Sequence, residues 1–401
     1  MNMLNIEEFN IIKQEENQYD YRFTVETKEE PDFCPYCLKN GKFIKHSIKE
    51  REVWDLNMHS KRVKIVIRQR RYKCPYCGAT FYELLNSVAS NAKITTRLYK
   101  KLQDEGLQHP FTQVSEMYGV SHMTVKRSVQ DYINRMDELR VIETPKVIGI
   151  DEAHLNKTMR GVITNIQTRQ LVELLPTNTK RDVKKFISSM DGYKNIEVAT
   201  MDMAPAYRYL MNELAPDALC IIDKYHVIQA ANRALNSVRT KLKNSLSKEQ
   251  KNLLLRDRWT LLSNKESLDE FARAKRDRWF SQFPVLATAY WIKEGLRDIY
   301  NAIDRYEAFQ LYYQWECSIP VEMKEFQEVR NMINGCKQEV FNYFLTPIKY
   351  TNAYTESINN QIKHIEKIGN GYSFEVLRAK ILYKSALEDK PKYGSQGFIE
   401  I

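Results

Sequence analysis

The chain has 401 residues, of which 43% are hydrophobic, so it is long enough for two to four domains with buried cores. Its 61 Lys and Arg residues outnumber its 51 Asp and Glu residues, and the net charge of +10 favours polyanionic partners over acidic substrates. The opening stretch MNMLNIEEFNIIKQEENQYD is acidic, and no apolar run reaches the roughly eighteen residues of a membrane span, so we expect a cytoplasmic protein.

Residues 1–90 contain two Cys-Pro-Tyr-Cys motifs, formed by Cys34 with Cys37 and by Cys74 with Cys77. The spacing within each motif lets one tight turn direct both thiolates at the same ion, and four thiolates make a closed tetrahedral zinc site. Two redox-active dithiols are the alternative, but the thioredoxin-like strand and helix setting that they need is absent. We therefore expect one structural zinc ion in this region.

The stretch KRVKIVIRQRRYK at 61–73 alternates apolar and basic residues, which predicts a β-strand with one apolar and one basic side. Arg68, Arg70 and Arg71 at the end of this strand could contact DNA phosphates. A solvated strand edge without any DNA contact is the alternative that the same pattern allows.

Residues 91–140 change to helical spacing, and FTQVSEMYGVSHMTVKRSVQDYI at 111–133 predicts a helix-turn-helix. Gly119 can take the positive φ of the turn, and Ser121 can cap the second helix. The expected inward residues are Val114, Met117, Val125, Val129 and Ile133, and the residues expected to face a DNA major groove are His122, Thr124, Lys126 and Arg127. Any two packed helices can look similar, so a purely structural helix pair is the alternative.

Between 146 and 225, short β-branched runs alternate with helical ones, which predicts a mixed sheet flanked by helices. Asp151 follows the apolar run VIGI, and Asp202 stands in the same relation to the run IEVATM. Adjacent strands would bring both carboxylates to one edge of the sheet, where hard oxygen ligands suit magnesium. Either aspartate alone is more typical of a loop or cap, but the pair at the ends of two buried strands favours a metal site.

The segment 227–345 has long charged amphipathic patterns and predicts an all-helical block, which is followed by TNAYTESINNQIK at 351–363. On a helix, the polar stripe of this motif would contain Glu356, Asn359, Asn360 and Lys363, and the apolar side Tyr354, Ile358, Ile362 and Ile365. If the stripe meets the two aspartates, Glu356 can bind metal while Asn360 and Lys363 contact DNA. An ordinary amphipathic helix with a solvated face fits the periodicity equally well.

Together these motifs resemble those of the DDE transposases of bacterial insertion sequences, specifically the ISL3 family. The resemblance extends over nearly the whole chain and also includes IDE at 150–152, Asp-Met at 202–203 with Tyr207, and DKYHV at 223–227. It implies an RNase H-like core interrupted before its last helix, with Asp151, Asp202 and Glu356 as the metal-binding triad. Asp223 and His226 match a motif that commonly reads Asp-Arg-Phe-His-Val in the family, and they are either close to the substrate or structural.

We therefore expect an α+β multidomain protein with an N-terminal zinc-binding β module, a helix-turn-helix and an RNase H-like mixed α/β core interrupted by an all-helical insertion. The expected domains are the zinc module at 1–90, the helix-turn-helix at 91–140, the first part of the core at 141–230, the helical insertion at 231–345, the final helical part of the core at 346–390 and a tail at 391–401.

The expected function is that of a transposase that binds the terminal inverted repeats of its element and catalyses metal-dependent DNA cleavage and strand transfer. It would use two Mg²⁺ or Mn²⁺ ions and one Zn²⁺ ion, and its partner would be double-stranded DNA, both element ends and target. We expect a homodimer or larger assembly on DNA, no membrane partner, and a bacterial cytoplasmic location that becomes nucleoid-associated on DNA. The alternatives are a catalytically inactive DNA-binding regulator and an RNase H-like nuclease without strand transfer.

Overall fold

A computed structural model of the chain describes residues 3–90, 92–369 and 371–383. The expected tail at 391–401 lies outside the described residues. The protein divides into two compact units, the first formed by Met1–Arg140 with Ile365–Ile401 and the second by Val141–His364. No helix in the described part of the chain is long and apolar enough to cross a lipid bilayer.

The first unit begins with five β-strands, which are β1 (Phe9–Glu16), β2 (Asp20–Thr27), β3 (Ile44–Met58), β4 (Lys61–Lys73) and β5 (Thr80–Tyr82). They form one sheet in the order β1-β2-β4-β3, and β5 pairs with β4. The strand predicted from the sequence coincides with β4, and Val63, Ile65 and Ile67 on its apolar side are buried. The period of two therefore places one face of this central strand in the core.

Three helices follow in the same unit, namely α1 (Thr96–Gln108), α2 (Phe111–Tyr118) and α3 (His122–Leu139). The connection between α2 and α3 turns at Gly119, whose φ of 63° lies in the left-handed region that glycine adopts without steric cost. Ser121 caps α3 because its hydroxyl accepts a hydrogen bond from the backbone amide of Thr124. The predicted inward residues of α3 are buried, and they are Val125, Val129 and Ile133.

One inward position of α2 was predicted wrongly. Val114 is buried, but Met117 is 43% exposed, and Tyr118 is buried in its place. The buried stripe of α2 runs through Phe111, Val114 and Tyr118 in steps of three and four residues. Met117 therefore lies beside this stripe and not on it.

The second unit contains the strands β6 (Val147–Leu155), β7 (Thr158–Asn165), β8 (Gln170–Leu174), β9 (Val198–Met201) and β10 (Leu219–Ile222), with α4 (Lys180–Ser189) before β9 and α5 (Pro205–Leu214) before β10. The sheet order is β10-β9-β6-β7-β8. Strands β6, β9 and β10 are parallel, whereas β7 and β8 continue from β6 as antiparallel hairpins. Because parallel strands need a crossover, α4 and α5 occupy the connections that the alternating sequence pattern predicts.

The segment after β10 is helical, as the sequence predicts. It contains α6 (Lys224–Leu242), α7 (Lys248–Arg256), α8 (Arg258–Leu262), α9 (Glu270–Gln282), α10 (Pro284–Asp298), α11 (Arg305–Cys317), α12 (Lys324–Asn334) and α13 (Lys337–Phe341). Its buried residues form one hydrophobic core with those of the sheet, as illustrated by Ile221 on β10, Leu235 on α6 and Phe341 on α13. The helical block is therefore an integral part of the second unit.

The helix α14 (Ala353–Gly369) follows this block, and its beginning lies against the second sheet. Thr355 on α14 shares a hydrogen bond of 2.6 Å with Thr164 on β7. Gly149 on β6 permits this approach, since a Cβ there would lie 2.4 Å from the Thr164 Oγ1 and 2.7 Å from the Thr355 Oγ1. The last helix, α15 (Phe374–Leu382), belongs to the first unit, where Val376 and Ala379 join the core of α1, α2 and α3.

Candidate active site

Three adjacent parallel strands each bring an aspartate to the same level of the second sheet, within β6 and directly after β9 and β10. When the observed registers of β6 with β9 and of β9 with β10 are continued past their last pairs, Asp151 aligns with Asp202, and Asp202 with Asp223. The backbone amide of Asp223 also donates to the carbonyl of Met201 at 2.9 Å, so the ladder extends to this level. Because neighbouring strands are about 4.8 Å apart, the three carboxyl groups converge at one edge.

Asp151 lies within β6, although the sequence pattern places it after the strand. The strand continues to Leu155 because β7 pairs with it as a hairpin, whereas the observed pairing of β9 with β6 stops at Gly149. Asp151 therefore stands where β6 has lost its parallel neighbour, next to the position at which Asp202 leaves β9. The sequence of β6 alone cannot show where this pairing ends, because the end is set by the length of the partner strand β9.

Asp151 is 6% exposed and is held by two hydrogen bonds. Its carboxylate accepts from the Asn359 Nδ2 at 2.9 Å and from the backbone amide of Glu152 at 2.8 Å. Burial raises the pKa of Asp151 to about 6, and the negative charges of Asp202 and Asp223 act in the same direction. The Glu152 amide opposes this shift because it stabilises the carboxylate.

Asp202 and Glu356 face the same acidic edge. Asp202 accepts a hydrogen bond of 2.8 Å from the backbone amide of Ala204, and burial raises its pKa despite this bond. Glu356, in the first turn of α14, has its pKa raised to about 7, chiefly by burial and then by the charge of Asp223. Electrostatic interactions with His226 and Lys363 act in the opposite direction on the pKa of Glu356.

Asp223 and His226 lie beside Glu356 in the structure, whereas the sequence left open whether they are close to the substrate or structural. Among the described residues, two groups of three or more His, Cys, Asp or Glu side chains have ligand atoms that all lie within 4.8 Å of one another. They are Asp223 with His226 and Glu356, and the four paired cysteines. The expected set of Asp151, Asp202 and Glu356 does not meet this spacing by itself. Glu356 is common to the expected and the observed set, so the cluster extends further along the sheet edge than predicted.

The donor chemistry of this edge fits divalent cations. Four carboxyl groups lie at this edge, and burial raises the pKa of each: Asp151, Asp202, Asp223 and Glu356. Carboxylates that are buried together repel one another, so their charged forms need a compensating positive charge. Hard oxygen ligands of this kind are those that Mg²⁺ and Mn²⁺ accept.

The polar stripe predicted for α14 divides into two parts. Glu356 and the buried Asn359 face the acidic edge, while Asn360 and Lys363 are exposed to solvent. Sequence reasoning missed Asn352, whose Nδ2 donates to the carbonyl of Ile150 at 3.1 Å. Its Oδ1 accepts from the hydroxyl of Thr200 at 2.8 Å, so Asn352 ties the start of α14 to both β6 and β9.

The four paired cysteines converge in the first unit as the sequence predicts. The Sγ atoms of Cys34 and Cys77 are 3.8 Å apart, and so are those of Cys37 and Cys74. Thiolates bound to one tetrahedral zinc ion at about 2.3 Å are separated by about 3.8 Å, which is the observed spacing. The cluster therefore supports a structural zinc site.

The residues predicted to contact DNA have different surroundings. On α3, His122, Lys126 and Arg127 are exposed, whereas Thr124 is half-buried. The arginines of β4 have partners within the protein: Arg68 pairs with Glu26 at 2.9 Å, Arg70 pairs with the buried Glu83 at 2.8 Å, and Arg71 donates to Thr80 at 2.7 Å. The Arg70 side chain is only 15% exposed and is ion-paired, so Arg70 does not match the solvated strand edge of the alternative either.

Comparison with known proteins gives two family matches and one relative. Residues 148–381, more than half of the chain, match the ISL3 family model described as a transposase. Residues 30–77, which include all four paired cysteines, match a model described as the zinc-finger of transposase IS204/IS1001/IS1096/IS1165. The transposase for insertion sequence element IS1001 of Bordetella parapertussis is 24% identical over 357 residues, covering 84% of this chain and 85% of the relative.

Proposed function

Because the chain belongs to the ISL3 family of transposases, we propose that it binds the terminal inverted repeats of its own insertion sequence and catalyses DNA strand cleavage and strand transfer. The main observation in support is the row of aspartates at one edge of the second sheet. Glu356, from a helix far along the sequence, lies at the same edge. The mixed sheet, with three parallel strands and two hairpin strands, supports an RNase H-like core.

We infer that Asp151, Asp202 and Glu356 hold two divalent cations. Such ions, when bound, supply activation of the attacking oxygen and stabilisation of the leaving oxygen at a phosphodiester. The chain's own residues arrange the ligands, since Asn359 fixes the Asp151 carboxylate and Asn352 fixes the start of α14. The exposed Asn360 and Lys363 on the same helix are available to contact the DNA backbone.

The first unit supplies the features expected of a DNA reader. The connection between α2 and α3 has the tight left-handed turn of a helix-turn-helix, and α3 presents His122, Lys126 and Arg127 to solvent. The net charge of +10 favours contact with a polyanion. Two DNA ends must be brought together in transposition, so we infer a homodimer or larger assembly on DNA.

The test is cleavage of a DNA substrate that carries the terminal inverted repeat. Asp151→Asn, Asp202→Asn and Glu356→Gln should each lower cleavage by at least about a hundredfold, because each removes a negatively charged metal ligand. Binding to the same DNA should be retained. Asp217→Asn, at an exposed position of the same unit, is the matched control and should cleave normally.

The result also separates the alternatives. Full cleavage by any one of the three variants would refute the assigned triad. Cleavage by the unaltered protein without strand-transfer products would instead identify a nuclease. Specific binding to the repeat without any cleavage would identify a regulator.

A further inference from the structure

The cluster of Asp223, His226 and Glu356 has its own structural basis. Asp223 follows β10 directly and precedes the first residue of α6, and His226 lies in the first turn of that helix. Glu356 reaches the same point from the first turn of α14. One potential ligand atom from each side chain lies within 4.8 Å of the others. Donors bound to a single ion at about 2.1 Å are roughly 3 to 4 Å apart, which is close to this spacing.

The cluster also leaves polar atoms without hydrogen-bond partners. Asp223 is 1% exposed, and neither of its carboxylate oxygens has a partner with hydrogen-bond geometry. Burial raises the pKa of Asp223, and the backbone amides of Asn352 and Tyr225, which approach its carboxylate outside hydrogen-bond geometry, act in the opposite direction. The Nε2 of His226 is likewise buried without a partner. Buried polar atoms normally have partners, so these three atoms point to a ligand that binds among them.

We propose that Asp223, His226 and Glu356 form a cation site, with one imidazole nitrogen and two carboxylates as donors, that binds Mn²⁺ more tightly than Mg²⁺. An imidazole nitrogen favours first-row transition metals, whereas Mg²⁺ prefers oxygen donors and gives up its water reluctantly. Glu356 belongs both to this site and to the proposed catalytic triad, so the site deepens the proposed function. Cation binding itself does not depend on that function, but a role of the site in DNA cleavage does.

The experiment measures Mn²⁺ binding to the zinc-loaded protein in the absence of DNA. Mn²⁺ is a suitable probe because the thiolate cluster prefers softer metals. The bound ion should show, by pulsed electron paramagnetic resonance, the ¹⁴N coupling of a directly bound imidazole. His226→Gln should abolish this coupling and weaken Mn²⁺ binding by about tenfold or more, while Mg²⁺ binding changes less.

The matched control is His154→Gln, the same substitution at an exposed position on β6. It should change neither the ¹⁴N coupling nor the Mn²⁺ affinity. Glu356→Gln is a second variant, which should weaken Mn²⁺ binding and retain the nitrogen coupling. Unfolding midpoints measured without Mn²⁺ show whether each variant is folded.

The site is refuted if Mn²⁺ bound to the unaltered protein shows no ¹⁴N coupling, or if folded His226→Gln binds Mn²⁺ as tightly as the unaltered protein. Failure of the proposed function gives a different result. Normal cleavage by Asp151→Asn would refute the triad, and the nitrogen-coupled Mn²⁺ site would still be supported. Loss of cleavage in Asp151→Asn together with no ¹⁴N coupling would support the triad and refute the new site.

Discussion

Individual buried charges show how strongly local surroundings decide the role of a side chain. In the second unit, burial raises the pKa of Asp151, Asp202 and Asp223, and we propose that cations compensate for their charge. In the first unit, Lys380 on α15 is 3% exposed, and its Nζ donates to the carbonyl of Gly106 at 2.7 Å. This carbonyl lies in the last turn of α1, where the helix has no further amides to donate to its own carbonyls, so the lysine supplies the missing donor.

Lys380 should make stability depend on pH. Burial lowers its pKa to about 7, whereas an unfolded lysine has a pKa near 10.4. Between these values the unfolded chain binds one more proton, so stability should rise with pH, by up to about 1.4 kcal/mol per pH unit. This contribution is complete above the unfolded pKa and is lost as the pH falls towards about 7.

The measurement compares denaturant unfolding of the unaltered protein and Lys380→Met at pH 7 and pH 9. The variant should be less stable at pH 9, by about 1–3 kcal/mol, because carbonyls at the end of α1 lose their donor. The difference should shrink at pH 7. Lys367→Met, at an exposed position of α14, serves as the control. Parallel pH profiles for Lys380→Met and the unaltered protein would show that folding does not lower the pKa of this lysine.

At the scale of the elements, local sequence patterns determine where α2 ends and α3 begins, whereas long-range packing determines what α3 and α14 contact. The turn at Gly119 and the cap at Ser121 are local features, and both occur where the sequence predicts them. The packing of α3 on α1 depends on a contact between distant residues, since a Cβ at Gly106 would lie 2.4 Å from the Val129 Cγ2. The contact of α14 with the sheet likewise requires Gly149.

The proposed role of α3 can be tested through the salt dependence of DNA binding. Lys126 is exposed on this helix, and as a phosphate contact it would release about one counterion. Lys126→Ala should weaken binding to all sequences to a similar extent and reduce the slope of log K against log salt by about 1. Lys100→Ala, at an exposed position of α1, is the control. An unchanged slope in Lys126→Ala would exclude a phosphate contact by this residue.

At the scale of the whole molecule, each of the two compact units contains its own candidate metal site. Three of the four paired cysteines, all except the exposed Cys77, pack with Tyr72 and Phe81 in a small core of their own. Such a small cluster buries little apolar surface, so a bound ion should be its main source of stability. The acidic edge of the second unit is built on a much larger core that the sheet shares with the helical block.

Zinc removal should therefore lower local stability only at the end of the first unit that contains the four cysteines. A chelator, or Cys74→Ser, should remove about one zinc ion per chain and accelerate hydrogen exchange at the end of β4 and in β5, because the ion holds these segments. Exchange in β6, β9 and β10 should not change. Cys317→Ser removes an exposed cysteine outside the cluster and should leave zinc content intact. A normal zinc content in Cys74→Ser would contradict the four-thiolate site.

The sequence by itself determined the features that depend on neighbouring residues. Cysteine spacing indicated the zinc motifs, period-two alternation located β4, and apolar runs followed by aspartate marked the strands that lead to Asp151 and Asp202. The family could also be predicted from the ordered motifs, and the family match confirmed it. Each of these signals lies within a short stretch, so one-dimensional reasoning suffices to find it.

Only the tertiary structure decided which distant side chains meet. Strand register brought Asp223 into line with the other two aspartates, and the approach of α14 placed Glu356 within reach of His226. The ion pair with Glu83 similarly explains why the Arg70 side chain is largely buried, although the sequence pattern does not distinguish Arg70 from the other basic residues of β4. These outcomes depend on the pairing of segments that are far apart along the chain, and no local periodicity contains that information.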